Sequence, residues 1–212
     1  MNSIDAVILE VADLTAATRF YSAVFGPDSS HVRLRASGES TTGFRGFTLS
    51  LVVCQPGNVD TLIRAALDAG ATVLKAASKS LWGYGGVVQA PDGTILKIAT
   101  SAKKDTSPLT RDFDEVVLLL GVEDVKASKQ FYASRGLSVG RSFGGKYAEF
   151  AADLGCVRLA LYKRGALARD VGVPAGGTGS HRLVLSGAAG PCSDPDDFVW
   201  EASASAPLTA TA

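Results

Sequence analysis

The chain has few of the residues that hold metals or run acid–base chemistry near neutral pH. Among 212 residues there are two histidines and three cysteines. Cys54, Cys156 and Cys192 are odd in number and show no CxxC spacing, which argues against a disulfide framework. Cys156 sits beside an apolar run and reads as a small hydrophobe. No Cys/His/Asp constellation supports a catalytic thiol. Charge of one sign is also missing: 21 Lys and Arg face 21 Asp and Glu. The basic footprint of a nucleic-acid or membrane-surface partner is therefore absent. No apolar run approaches the span of a bilayer, and the first residues lack the basic start and apolar core of a signal peptide. These absences give the expectation of a cytoplasmic protein with no nucleic-acid and no membrane partner. There is no GxxxxGK[ST] loop and no GxGxxG after a strand, so nucleotide binding has no motif behind it. The glycine-rich run Gly176–Gly179 follows no phosphate-binding strand and opens no helix.

What is present is a repeat. Val11, Asp13, Leu14, Ala16, Phe20 and Tyr21 recur 111 positions later as Val122, Asp124, Val125, Ala127, Phe131 and Tyr132. Each copy follows an apolar run. A second pair lies late in each half, Pro91-Asp92-Gly93 and Pro195-Asp196-Asp197. A repeat at this scale indicates a duplicated fold, with pockets inside or between the copies. In the first motif a short strand ends at an Asp that can accept hydrogen bonds from the free N–H groups of the following helix. Leu14, Ala17, Phe20, Tyr21 and Val24 then fall on one helical face. The second motif sets a tight turn before an alternating strand.

Strand, V-x-D cap, helix ending in Phe-Tyr, and a late P-D-G turn resemble the vicinal oxygen chelate superfamily, which includes glyoxalase I, bleomycin-resistance proteins and extradiol dioxygenases. The resemblance covers residues 4–100 and 113–203. It implies an α+β fold of tandem βαβββ modules, with curled mixed sheets and helices outside, in two glyoxalase-like halves. In much of that superfamily a divalent metal sits in the cleft.

The local pattern fills in this outline. Residues 1–100 form the first half, 101–112 a polar linker containing one Pro, 113–204 the second half and 205–212 a small-residue tail. The first half predicts a strand over 5–11, helices over 14–25 and 57–69, and strands near 31–36, 46–53, 72–75, 85–89 and 94–99. The second predicts a helix over 124–135 and a short one over 166–170. Strands are expected near 115–121, 138–142, 146–151, 157–162, 181–185 and 198–201. The stretch between the first helix and Phe47 is short for the superfamily, so one strand there is expected to be missing.

The resemblance also indicates where metal ligands would stand. One is commonly a His seven residues before the capping Asp; those positions hold Ala6 and Val117, which have no lone pair to donate. Another is often a Glu four residues beyond the turn Gly; here Lys97 and Glu201 stand there. A third opens the strand that starts the second module, Phe47 in one half and His181 in the other. A fourth, around Leu159, is apolar. The first half has thus lost every recognisable ligand, and the second keeps His181 and Glu201. Two protein ligands are fewer than zinc or iron sites use, so no metal and no cofactor is expected. His181 reads either as a catalytic group or as a core imidazole satisfied by backbone or by Glu201. Glu201 reads either as a solvent-facing residue or, if Val199 points inward, as a buried general base.

Aromatic residues make a second constellation. Trp82 and Tyr84 lie on a glycine-rich segment, Phe44 and Phe47 are expected on a strand packed nearby, and Tyr147 lies on the analogous segment of the second half. Large flat rings suit a planar ligand; the alternative is packing against the glycines. Glu149, on an otherwise apolar strand, reads as solvent-facing in preference to a site carboxylate. The function expected is a glyoxalase/bleomycin-resistance-like protein that binds a small, planar molecule through Trp82, Tyr84, Phe47 and Tyr147 without a full metal site, with a homodimer allowed. The alternative is a lyase, isomerase or dioxygenase acting through His181 and Glu201. The protein as isolated should carry substoichiometric zinc, iron, nickel or manganese. Elemental analysis after dialysis checks this, and a stoichiometric metal that survives dialysis would promote the enzyme.

Overall fold

A computed structural model describes residues 4–27, 29–81, 83–153, 155–187 and 189–203. The first half runs β1 (Ile4–Val11), α1 (Leu14–Phe25), β2 (Val32–Ala36), β3 (Thr41–Gly43), β4 (Phe47–Val52), α2 (Pro56–Asp68), β5 (Thr72–Ser80), β6 (Gly83–Gln89) and β7 (Ile95–Thr100). The second runs β8 (Glu115–Val122), α3 (Val125–Ser134), β9 (Val139–Phe143), β10 (Tyr147–Phe150), β11 (Arg158–Lys163), α4 (Arg164–Val171), β12 (Gly177–Gly179), β13 (Leu183–Gly187), β14 (Cys192–Ser193) and β15 (Val199–Ala202). The class is α+β with mixed sheets. Among the described residues no helix is long and apolar enough to cross a membrane.

The sheets are not divided half by half, as two self-contained units would require. β4 pairs antiparallel with β8, giving an eight-stranded sheet in the order β5-β6-β7-β4-β8-β11-β10-β9. β1 pairs antiparallel with β13, giving a five-stranded sheet in the order β14-β15-β13-β1-β2. Each sheet therefore takes strands from both halves. The three-residue strands β3 and β12 pair only with each other. They are too short to show in an alternation pattern, and the sequence reading missed them.

The two capping aspartates behave as the repeat predicts. Asp13 accepts from the Ala16 amide at 2.9 Å, and Asp124 from those of Lys126 and Ala127 at 2.8 and 3.3 Å. Ala17, Phe20, Tyr21 and Val24 are buried beneath α1. Leu14, expected on that face, is 43% exposed at the first position of the helix. Helices α1, α2 and α3 share one core with Val7, Leu9, Leu49, Leu51, Leu96, Leu118, Leu159 and Leu185 from both sheets.

The repeated motifs meet in this core. The Tyr21 hydroxyl donates to Asp92 Oδ1 at 3.1 Å, and the Tyr132 hydroxyl to Asp194 Oδ2 at 2.6 Å. The sequence aligns Asp92 with Asp196, but in the second half the tyrosine selects Asp194. Asp196 instead accepts from the Ser128 hydroxyl at 3.0 Å, and Ser128 is the repeat partner of Ala17. Burial, and then the adjacent aspartate, push both phenols well above their usual range, so both stay protonated donors.

The linker is pinned by the buried first turn of α2. Gln55 Oε1 accepts from the Thr106 and Ser107 amides at 2.8 and 3.0 Å, and Asn58 Oδ1 accepts from the Thr110 amide at 3.1 Å. Asp105 Oδ1 accepts from the Gly57 amide at 2.7 Å, so the linker caps a helix whose own N-cap side chain makes no capping bond.

Replacing Tyr132 by Phe leaves a buried Asp194 oxygen without its donor and should cost about 1–3 kcal/mol. Tyr21→Phe should cost less, because the Asp92 carboxylate keeps the Thr94 hydroxyl at 2.7 Å and the Arg45 guanidinium. Urea denaturation of the two variants checks the order.

Candidate functional site

The face of the eight-stranded sheet opposite α2 is where strand alternation places the chemistry. Leu49, Leu51, Leu96, Leu118 and Leu159 point into the common core. Their neighbours Ser50, Lys97, Val117 and Arg158 point the other way and stand in register across four strands: Lys97 beside Ser50, Ser50 beside Val117, Val117 beside Arg158. This row corrects two expectations. Phe47 is 2% exposed and belongs to the core, so Ser50 holds the cleft-side place on β4. On β11 the cleft-side residue is Arg158 rather than Leu159.

A divalent metal does not fit this row. It offers two cations, a hydroxyl and an isopropyl group, and Lys97 and Arg158 would repel the ion. Each cation has a carboxylate partner instead. Lys97 Nζ lies 2.6 Å from Asp170 Oδ2, and Arg158 pairs with Glu115. Among the described residues, no three His, Cys, Asp or Glu side chains are grouped to hold a metal.

Helix α4 covers part of the same face, although every helix was expected outside. Leu167, Ala168 and Val171 are buried against Phe44, Val87, Ile95, Leu119 and Tyr162. Gly121 permits this approach, since a Cβ there would lie 3.1 Å from Arg164 Cα. The helix closes on Gly172 in the left-handed conformation, at φ 83°. Lys75 of β5 donates to the Arg169 and Asp170 carbonyls, a cation at the negative end of the helix dipole. Thr48 lies under α4 with its hydroxyl buried and unpartnered.

Beside the C-terminal end of α4 a groove of about 500 Å³ remains open. Val52, Gly85, Val87 and Ala99 form its floor, with Lys97, Lys75 and Asp170 along one wall. Tyr84 borders the groove, but its ring is not part of the floor. Strand alternation turns that ring toward α2, where its hydroxyl donates to Asp60 at 2.8 Å. Trp82 lies outside the described residues. Tyr147 sits on the groove-side face but on β10, three strands beyond β4, where it donates to Glu149 at 2.8 Å. Among the described residues, Tyr84, Phe47 and Tyr147 therefore do not meet in one cleft. Glu149, read as solvent-facing, has a side chain only 16% exposed and lies 3.5 Å from Arg141. Burial and then Glu149 push the Tyr147 phenol upward.

His181 and Glu201 are not brought together. The His181 ring stacks on Phe198 with centroids 4.0 Å apart, and its nitrogens face the Arg45 and Asp196 carbonyls at 2.5 and 3.0 Å. This is the backbone-satisfied imidazole among the two readings. Glu201 stands in register with Ser186, and Ser186 with Ala6, on the opposite side of the five-stranded sheet. There Arg35 of β2 reaches over β1 and β13 to hold both carboxylate oxygens, at 2.8 and 2.7 Å. Ala6, Ile8, Val184 and Ser186 on that face are all buried.

The Arg35 hydrogen bonds hold the Glu201 carboxyl below its usual range. A depressed carboxyl contributes stability above its unfolded pKa and loses it as pH falls through the folded one. The two side chains are 42% and 43% exposed, so solvent screening limits the pair to about 1 kcal/mol or less. Arg35→Met should lower stability by that amount at neutral pH, and the difference should vanish below the carboxylate range. Urea denaturation at the two pH values reads both.

No protein-family profile matches the chain, and no curated protein matches its sequence. Solved structures do match its fold. Glyoxalase I from Zea mays superposes with a TM-score of 0.59 at 16% identity, over 94% of this chain and 91% of that one. A single-site variant of the same maize enzyme gives 0.60 at 15%, over 95% and 93%. A putative dioxygenase from Bacillus subtilis gives 0.53 at 14%, over 92% of this chain and 71% of that one.

Proposed function

We propose that this chain, which has the vicinal oxygen chelate fold, is a metal-independent binding protein that takes a small, flat molecule in the groove beside α4. The observation that carries the proposal is Lys97. It stands where the superfamily resemblance would put a metal-binding carboxylate, and it carries an ammonium at the wall of a groove of about 500 Å³. That volume is within the range of ligand pockets, roughly 300–1,000 Å³. A floor without a side chain longer than valine offers a flat apolar surface to a ring.

Among the described residues, the groove also lacks a free base. Asp170, the one carboxylate on its wall, is engaged by Lys97, so the arrangement suits binding better than proton abstraction. Nothing in the placement of His181 and Glu201 favours the alternative of an enzyme that uses them together.

NMR titration of the EDTA-treated protein with 2-naphthoate and with its neutral isostere 2-naphthamide tests the proposal. At least one probe should bind saturably and shift the methyl resonances of Val52, Val87 and Ala99, and added zinc should leave the affinity unchanged. Ala99→Trp, which fills the groove, should abolish the shifts. Binding that appears only with added metal would overturn the proposal, as would shifts confined to other parts of the molecule.

A further inference from the structure

We infer that the groove recognises an anion: its ligand is a flat molecule bearing a carboxylate, and that carboxylate takes the place of Asp170 on Lys97. The inference rests on the groove being a binding site and adds the chemical class of what it binds.

Asp170 is poorly placed for the stability of α4. It lies in the last turn, where the unpaired carbonyls give the helix a partial negative charge and a carboxylate is disfavoured. The fold answers that charge separately, through Lys75, whose ammonium bonds the Arg169 and Asp170 carbonyls. What holds the Asp170 side chain is therefore Lys97, at 2.6 Å. The two side chains are 42% and 35% exposed, and ion pairs with that access to water are weak enough to be exchanged.

A ligand carboxylate arriving along the floor would meet the same ammonium without the repulsion of the helix end. Its ring would lie over Gly85, Ala99 and Val52, which present little more than backbone and methyl groups. Of the charged groups on this wall, Lys75 and Lys97 outnumber Asp170, so the wall favours a ligand of negative charge. The other cation of the row, Arg158, is engaged by Glu115.

Isothermal titration calorimetry of the whole chain with 2-naphthoate and 2-naphthamide, in EDTA at low salt, separates the possibilities. The carboxylate should bind at least tenfold more tightly than the amide. Lys97→Met should bring that ratio close to one, and Lys97→Arg should keep it. Asp170→Asn should strengthen 2-naphthoate binding several-fold, because it removes the internal competitor; a purely structural Asp170 would give no change or a loss. A wild-type ratio near one, or 2-naphthoate binding left unchanged or weakened by Asp170→Asn, would overturn the inference. With the amide bound in the groove as tightly as the carboxylate, the binding reading stands and the anion assignment falls. If neither probe reaches the groove, both fall.

Discussion

The antiparallel ladder between β4 and β8 is the constraint on which the rest depends. From Phe47 beside Leu120 to Val52 beside Glu115 it joins the two halves edge to edge and makes one sheet of eight strands. Its register decides which residues share a face. Leucines at Leu49, Leu51, Leu118 and Leu120 go to the common core, so Ser50 and Val117 must look outward together. A shift of one residue would exchange these two sets and put a serine where the core needs a leucine. The matching ladder between β1 and β13 applies the same rule to the other sheet.

Both outward faces are partly covered from within the chain, by different means. On the eight-stranded sheet α4 brings three apolar side chains onto β6, β7, β8 and β11, and it leaves the groove at its C-terminal end. On the five-stranded sheet no helix does this. Arg35 and Glu201 reach toward each other across two strands, over the buried Ala6, Ile8, Val184 and Ser186. The first closure depends on apolar contact and the second on a pair of exposed charges. Salt screens an exposed ion pair and acid titrates it, whereas hydrophobic burial is neither screened nor titrated. The two faces are thus held by forces that respond differently to the solution.

The sequence made the local parts legible and left the non-local ones hidden. Asp13 and Asp124 announced their helices, because an N-cap is written within four residues of itself. Helix α1 spans the residues that the pattern predicts. The pairing of halves leaves no such mark, because nothing near Phe47 in the chain says that Leu120 will lie beside it. The ligand row suffered from that. Counting by resemblance placed the cleft positions at Phe47 and Leu159, whereas the ladder places them at Ser50 and Arg158. Glu149 was misread for a related reason. Its exposure depends on Arg141 and Tyr147 on the same face, and alternation alone cannot distinguish a covered face from a bare one. In α4 the sequence showed a short helix, but only the tertiary structure shows that its apolar residues fill a cleft.

The shared sheets also set the order in which the molecule can assemble on the ribosome. When β4 has emerged, its far edge is unpaired, and it stays so until β8 follows. At about 5–20 residues per second that interval lasts seconds. β1 waits far longer, since β13 begins only at Leu183. Between the synthesis of β4 and that of β8, the nascent protein therefore displays two unpaired strand edges at once, of the kind that pair with any available strand. A chaperone that shields strands, or rapid delivery of the second half, matters more to this chain than to a protein whose two halves fold one after the other.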